Sequence, residues 1–123
     1  MKKRCVVIDD NEANRIVASE IAESLGFNVH GTAESGYKAL DKVFDNDISV
    51  ILLDWHMPEM DGLRFLGELN ATPDRKDMKV IIYSAVEEGS GNSKALSKGA
   101  DGFISKPITF EKMQAEFKKL GII

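Results

Sequence analysis

The sequence predicts an α/β fold: a doubly wound, five-stranded parallel sheet with helices on both faces. Three observations predict it. Short apolar runs alternate with amphipathic segments along the whole chain, the pattern of repeated βα units. The run at residues 50–53, Val-Ile-Leu-Leu, is continuously apolar, as a strand buried on both faces must be. The runs end in Asp9 and Asp10, Asp54, Ser84 and Lys106, and ligands of open α/β sheets bind beyond the carboxyl ends of the strands. A chain of 123 residues fits one domain around one core, residues 1–123.

The elements follow in order. Residues 3–8 form the first strand. Asp10 or Asn11 caps the first helix, which sets Ala13, Ile16, Val17, Ile21 and Leu25 on one face and ends at Gly26. Asn28–Ala33 is half polar and reads as an edge strand. Ser35 caps a second helix presenting Leu40, Val43 and Phe44. Residues 50–53 form the third strand, and Asp61 caps a third helix carrying Leu63, Leu66 and Leu69. Thr72, Pro73 and Asp74 mark a loop before the fourth strand, Lys79–Ser84. Residues 87–92 hold two glycines and few helix formers, so only 93–98 reads as a short fourth helix, ended by Gly99; a long loop is the alternative. Gly102–Ser105 is the fifth strand. Thr109 caps a fifth helix with Phe110, Met113, Phe117 and Leu120 at helical spacing.

Composition excludes several classes. No apolar run reaches the length of a bilayer span. The basic start, Met1-Lys2-Lys3-Arg4, leads into only four apolar residues before Asp9, too few for a signal peptide, so a cytoplasmic location is expected. The net charge is −4, and no stretch joins clustered Lys/Arg to aromatics as a nucleic-acid face does. Lys118 and Lys119 read as the cationic last turn of a helix. The single cysteine, Cys5, forms no internal disulfide and reads as a small core residue rather than a nucleophile.

The chemistry gathers at the strand ends. Of the four acidic residues there, Asp9, Asp10 and Asp54 are expected to meet in one pocket, while Asp61 belongs to a helix cap. Carboxylates without a His or Cys companion suit a hard cation such as Mg²⁺, which takes oxygen ligands and needs few from protein. The alternative is that they are caps or loop carboxylates. That alternative is weakest for Asp54, because a carboxylate directly after an apolar strand suffers desolvation unless compensated. Lys106 precedes Pro107 and supplies an ammonium to balance the acids; the alternative is a solvated lysine. The Lys106–Pro107 bond is a candidate cis peptide. The Ser84 hydroxyl can donate to a phosphoryl oxygen or serve as a turn residue.

Together these residues resemble the receiver domain of two-component response regulators, the CheY-like family. The matching motifs are Val6-Val7-Ile8-Asp9-Asp10, the stretch Leu52-Leu53-Asp54-Trp55-His56-Met57-Pro58-Glu59-Met60-Asp61-Gly62, then Ser84-Ala85, Gly99-Ala100-Asp101-Gly102-Phe103 and Lys106-Pro107. They cover essentially the whole chain. The resemblance implies the flavodoxin-like strand order 2-1-3-4-5. It implies that Asp54 is the phosphoacceptor, and that Asp9 and Asp10 bind Mg²⁺ with Asp54 and the backbone carbonyl of His56. Ser84 is then the switch hydroxyl, Lys106 contacts the phosphoryl group, and Phe103 stands where the family's aromatic rotates inward on activation. Pro107 belongs to the rim. Two residues depart from the common pattern, His56 and Val86; they are expected to set the lifetime of the acyl phosphate, or only to shape the rim.

The implied function is a phospho-accepting signalling switch that catalyses only its own phosphorylation and dephosphorylation. Its implied partners are a sensor histidine kinase or a histidine phosphotransfer protein, and a downstream protein on the face of the fourth helix, fifth strand and fifth helix. Neither direct nucleic-acid binding nor membrane insertion is expected. The chain ends at Ile123, just after the fifth helix, which suggests a stand-alone receiver that either acts on a partner or passes its phosphoryl group on. A haloacid-dehalogenase-like phosphatase with an aspartyl nucleophile is the alternative from another class, but it requires an acid where His56 stands. A flavodoxin is disfavoured by the acidic loop after the first strand. A pseudo-receiver that only binds partners is disfavoured because Asp9, Asp10, Asp54, Ser84 and Lys106 are all present.

Overall fold

Period-two alternation of apolar side chains sorts the strands into two buried layers. The computed structural model describes residues 4–33, 48–54, 67, 69, 71, 78–84 and 99–123. Its strands are β1 (Arg4–Ile8), β2 (Asn28–Ala33), β3 (Val50–Asp54), β4 (Lys79–Ser84) and β5 (Gly102–Ser105). They pair in parallel throughout, in the order β2-β1-β3-β4-β5, so the half-polar β2 lies at an edge as its composition predicts. β3 runs one residue further than its apolar stretch, because Asp54 stays in register opposite Tyr83. The predicted second helix, the first part of the third with Asp61, the 72–74 loop and the segment 87–98 lie outside the described residues. Of the third helix, Gly67 and Leu69 are described; both are helical and Leu69 is buried.

Successive strand residues point to opposite faces. One layer gathers Val6, Ile8, Ile51, Leu53, Val80 and Ile82 with Leu69. The other gathers Cys5, Val7, Val50, Leu52, Ile81, Tyr83 and Ile104 beneath two helices, α1 (Glu12–Ser24) and α2 (Phe110–Lys119); α2 is the fifth helix of the sequence reading. Cys5 is a core residue, and burial pushes its thiol pKa up to about 12, which keeps it an inert thiol.

α1 is capped by Asn11, whose side chain accepts the Asn14 N–H at 3.0 Å, and Asp10 is left to other work. Its buried face differs from the expected one. Ala18 and Ala22 are fully buried, while Ile16 and Val17 are 50% and 45% exposed. Ile21 and Leu25 do pack against the core. The small alanines mark where the helix lies close on the sheet, and Ile16 and Val17 fall outside that stripe. Gly26 ends the helix at φ +93°, a left-handed conformation that favours glycine.

α2 begins at the predicted cap, Thr109, whose Oγ1 accepts the Lys112 N–H at 3.2 Å, and it carries Lys118 and Lys119 in its last turn. Met113 and Phe117 are fully buried, and Phe117 meets Phe27 edge to face at 4.9 Å. α2 crosses β5 closely: a Cβ on Gly102 would lie 2.6 Å from Glu116 Oε2 and 3.1 Å from Leu120 Cδ1. Asp101 ties β5 to β4, accepting the Val80 N–H on Oδ2 and donating its own N–H to the Val80 carbonyl, both at 2.8 Å. Among the described residues no helix is long and apolar enough to cross a membrane.

Candidate functional site

The layer under α1 and α2 continues past the strand ends as charge. Asp9 follows Cys5 and Val7 in alternation, Asp54 follows Val50 and Leu52, and Lys106 follows Ile104. Ile8 pairs with Leu53, so Asp9 and Asp54 extend neighbouring strands by the same step. The pleat therefore delivers two carboxylates and an ammonium to one spot, at the point where β1 separates β2 from β3 and ligands of such sheets bind.

Asp9, Asp10 and Asp54 each offer a carboxylate oxygen, all within 4.8 Å of one another. Asp9 is fully buried, Asp54 is 3% exposed and Asp10 is exposed. Lys106 Nζ lies 3.4 Å from Asp54 Oδ1 and 4.0 Å from Asp9 Oδ2. Three carboxylates thus meet one ammonium among the described residues, and burial makes their repulsion costly. An all-oxygen donor set carrying excess negative charge suits Mg²⁺.

Asp9 is fixed from several sides. Its Oδ1 accepts the Asn11 N–H at 2.8 Å and its Oδ2 accepts the Tyr83 hydroxyl at 2.8 Å. Its main-chain carbonyl accepts Arg15 Nη1 at 2.7 Å. Burial, then the negative charge of Asp9 and the hydrogen bond to it, push the Tyr83 phenol pKa well above its usual value, so the hydroxyl remains a neutral donor.

Lys106 is aimed by its flanks. Its N–H donates to the Ser84 carbonyl at 2.8 Å, and the Lys106–Pro107 bond is cis, as the strand-end Lys-Pro suggested. Lys112 Nζ donates to the Ser105 carbonyl and hydroxyl at 3.2 Å and to the Pro107 carbonyl at 3.1 Å. Both neighbours of Lys106 are thereby braced from α2. The ammonium also stands 5.4 Å above the centroid of the Tyr83 ring, within cation–π range.

The remaining candidates lie around this cluster. Ser84 ends β4, buried, one residue past Tyr83 and so on the alternate face. Phe103 is half-buried against the opposite layer, and its N–H donates to Glu116 Oε2 at 3.4 Å. Pro107 is exposed and lines, with Asn14, Val17, Lys106 and Ile108, a cavity of about 420 Å³. His56 and Val86 lie outside the described residues. Two contributors escaped the sequence reading, Tyr83 and Lys112. The parity that places Tyr83 beside Asp54 was countable along β4; the reach of its hydroxyl to a residue 74 positions away was not.

Residues 5–118 match the family of the response regulator receiver domain, and the chain belongs to that family, the receivers of two-component signalling. It is 29% identical over 114 residues to a probable chemotaxis protein CheY of Rhizobium etli, covering 93% of this chain and 88% of that protein. It is 32% identical over 122 residues to the response regulator MprA of Mycobacterium sp. (strain KMS), covering 98% of this chain but 51% of MprA, so it spans about half the length of that relative. Among solved structures, the CheX-CheY-BeF3-Mg+2 complex from Borrelia burgdorferi matches with a TM-score of 0.87 and 29% identity, over 98% of this chain and 90% of that one. Chemotaxis protein CheY4 of Vibrio cholerae shares the fold, with a TM-score of 0.88 at 22% identity, over 98% of this chain and 99% of that one.

Proposed function

We propose that this receiver is a Mg²⁺-dependent phosphorylation switch with Asp54 as its phosphoacceptor. The observation that carries the reading is the setting of Asp54: nearly buried at the end of a central strand, 3.4 Å from the Lys106 ammonium and clustered with Asp9 and Asp10. Asp9, Asp10, Asp54 and the His56 carbonyl would hold Mg²⁺, which supplies charge neutralisation for the phosphoryl oxygens. Phosphoryl transfer asks a protein mainly for positioning and charge compensation, and the residues fit that demand.

In the reading, an Asp54 carboxylate oxygen attacks the phosphorus of a phosphohistidine on a kinase or phosphotransfer protein. The P–O bond forms as the P–N bond breaks, and the electron pair returns to the imidazole nitrogen. Lys106 balances the incoming charge, held in place by Lys112. The cavity edged by Val17, Pro107 and Ile108, beside Lys106, gives the donor protein an apolar margin to approach. The new dianion then draws Ser84 and Lys106 toward it, and Phe103 follows, biasing the face of β5 and α2, with the fourth helix expected from the sequence, toward a downstream partner. The relative from Borrelia burgdorferi, whose complex holds CheX, BeF3 and Mg+2 with CheY, supports both the cation and a protein partner.

The test is direct. The protein is incubated with Mg²⁺ and a small phosphodonor, and its intact mass is followed. One phosphoryl group is expected, dependent on Mg²⁺ and absent from Asp54→Asn. A gain that survives Asp54→Asn, or no gain in the unaltered protein, removes the assignment.

A further inference from the structure

Tyr83 lies outside the set of residues that the family motifs assign to phosphoryl chemistry, yet it touches two of them. Its hydroxyl donates to Asp9 Oδ2 at 2.8 Å, and its ring lies under the Lys106 ammonium. The side chain is fully buried. From β4 it reaches past the end of β3, where Asp54 stands in register beside it, to the end of β1.

We propose that Tyr83 is a positioning residue that occupies Asp9 in the metal-free site and thereby sets how tightly the site takes a divalent cation. This rests on reading Asp9, Asp10 and Asp54 as the cation's ligands. A carboxylate has a limited number of lone-pair directions. On Asp9 one is taken by the Asn11 N–H and another by the Tyr83 hydroxyl. Without a cation, the hydroxyl offsets part of the charge of a buried carboxylate, which is costly to leave unpaired. With a cation bound, the ion takes over that compensation and competes with the hydroxyl for the same oxygens. The hydrogen bond therefore stabilises the metal-free state more than the loaded one. By linkage it weakens metal affinity. Asn11 holds Asp9 in orientation without help from Tyr83, so removal of the hydroxyl frees an oxygen rather than loosening the ligand.

The experiment uses the full chain carrying Tyr83→Phe, which keeps the ring beneath Lys106 and removes only the hydroxyl. MgCl₂ is titrated while the fluorescence of Trp55, the single tryptophan and the neighbour of Asp54 in sequence, is followed. Thermal unfolding is measured in EDTA and in saturating Mg²⁺. The expected result is Mg²⁺ binding tighter by on the order of 3- to 10-fold, with a melting temperature that falls in EDTA and recovers in Mg²⁺. A variant that folds only with Mg²⁺ is the same result in its extreme form. In an Asp9→Asn background the added Tyr83→Phe change should leave Mg²⁺ affinity unmoved. Equal loss of stability in both conditions with unchanged affinity would make Tyr83 a core residue only and overturns the proposal, as does weaker binding. An unaltered protein that shows no Mg²⁺ response in either measurement overturns the ligand reading itself, a separate failure from that of Tyr83.

Discussion

The two faces of this sheet are equally apolar along the strands and part company at the strand ends. On the face beneath α1 and α2, the rows that begin with Cys5, Val50 and Ile104 run out into Asp9, Asp54 and Lys106. On the other face, Ile8, Leu53 and Ile82 are the last residues of their rows inside the core, and the next residue along that row of β4 is Ser84. One face ends in Asp9, Asp54 and Lys106, the two acids buried; the other ends in the exposed Asp10 after Ile8 and in the Ser84 hydroxyl. The difference teaches that the pleat places the site: a slip of one residue in any of these strands would send its charged group to the opposite face.

The comparison is tested first where the expected effect is largest. Leu52 and Leu53 are adjacent, both fully buried, and belong to opposite layers. Leu52→Ala and Leu53→Ala should each lower stability by about 2–5 kcal/mol, the usual cost of truncating a buried leucine, as read from urea unfolding. Only Leu52 shares a layer with Tyr83. Leu52→Ala should therefore also shift the Mg²⁺ midpoint of Trp55 fluorescence, and Leu53→Ala should leave it near that of the unaltered protein. Equal shifts from both would mean that the faces do not act separately on the site.

Lys106→Met asks whether the charged end of the favoured face works as a balanced unit. Its ammonium is 3.4 Å from Asp54 Oδ1 and 4.0 Å from Asp9 Oδ2. Removing one preorganised positive group from a site of developing negative charge typically slows the step by roughly 100-fold. The rate of phosphoryl uptake, followed by intact mass, should fall by that order while Asp54, the proposed acceptor, still takes up one group. An unchanged rate would assign charge balance to other groups and make Lys106 a brace for its loop.

Much of this architecture was legible in the sequence because strands buried on both faces have a strong signature. The runs at 50–53 and Lys79–Ser84 located the sheet, and the acids that follow the first and third strands foretold the carboxylate cluster, before any geometry. The cap Thr109 was readable, and that of α1 to within Asp10 or Asn11, for a similar reason: a short polar side chain before a periodic segment favours the cap. The buried face of α1 was not, because apolar content favoured Ile16 and Val17 over Ala18 and Ala22. Which stripe of a helix meets a sheet depends on how closely the two pack, and small residues permit the closest approach. Tyr83 and Lys112 were missed because their partners are set by tertiary reach. A tyrosine in an apolar run reads as core, which it is, and nothing local reveals that its hydroxyl ends on Asp9.

The smallest effect follows from the titratable groups of the two layers. The layer under the helices contains Cys5 and Tyr83, both with pKa values raised by burial; the opposite layer is built of aliphatic residues and methionine among the described buried positions. A folded-state pKa above the unfolded one gives stability that is complete below the unfolded pKa and is lost as pH rises through the folded one. For Cys5 that window runs from the ordinary thiol value of 9.0 to about 12, because the unfolded chain releases its proton first. Between pH 8 and pH 10 the unaltered protein should lose about 1 kcal/mol on this account. Cys5→Ala should carry a constant offset from its lost sulfur but a flatter profile across that interval, measured by urea unfolding at stepped pH. Tyr83, whose ordinary phenol value is 10.0, adds only about 0.4 kcal/mol by pH 10, so the thiol carries most of the slope in that interval. A slope of undiminished size in Cys5→Ala would place the alkaline weakness outside the thiol and remove one of the chemical differences between the two faces.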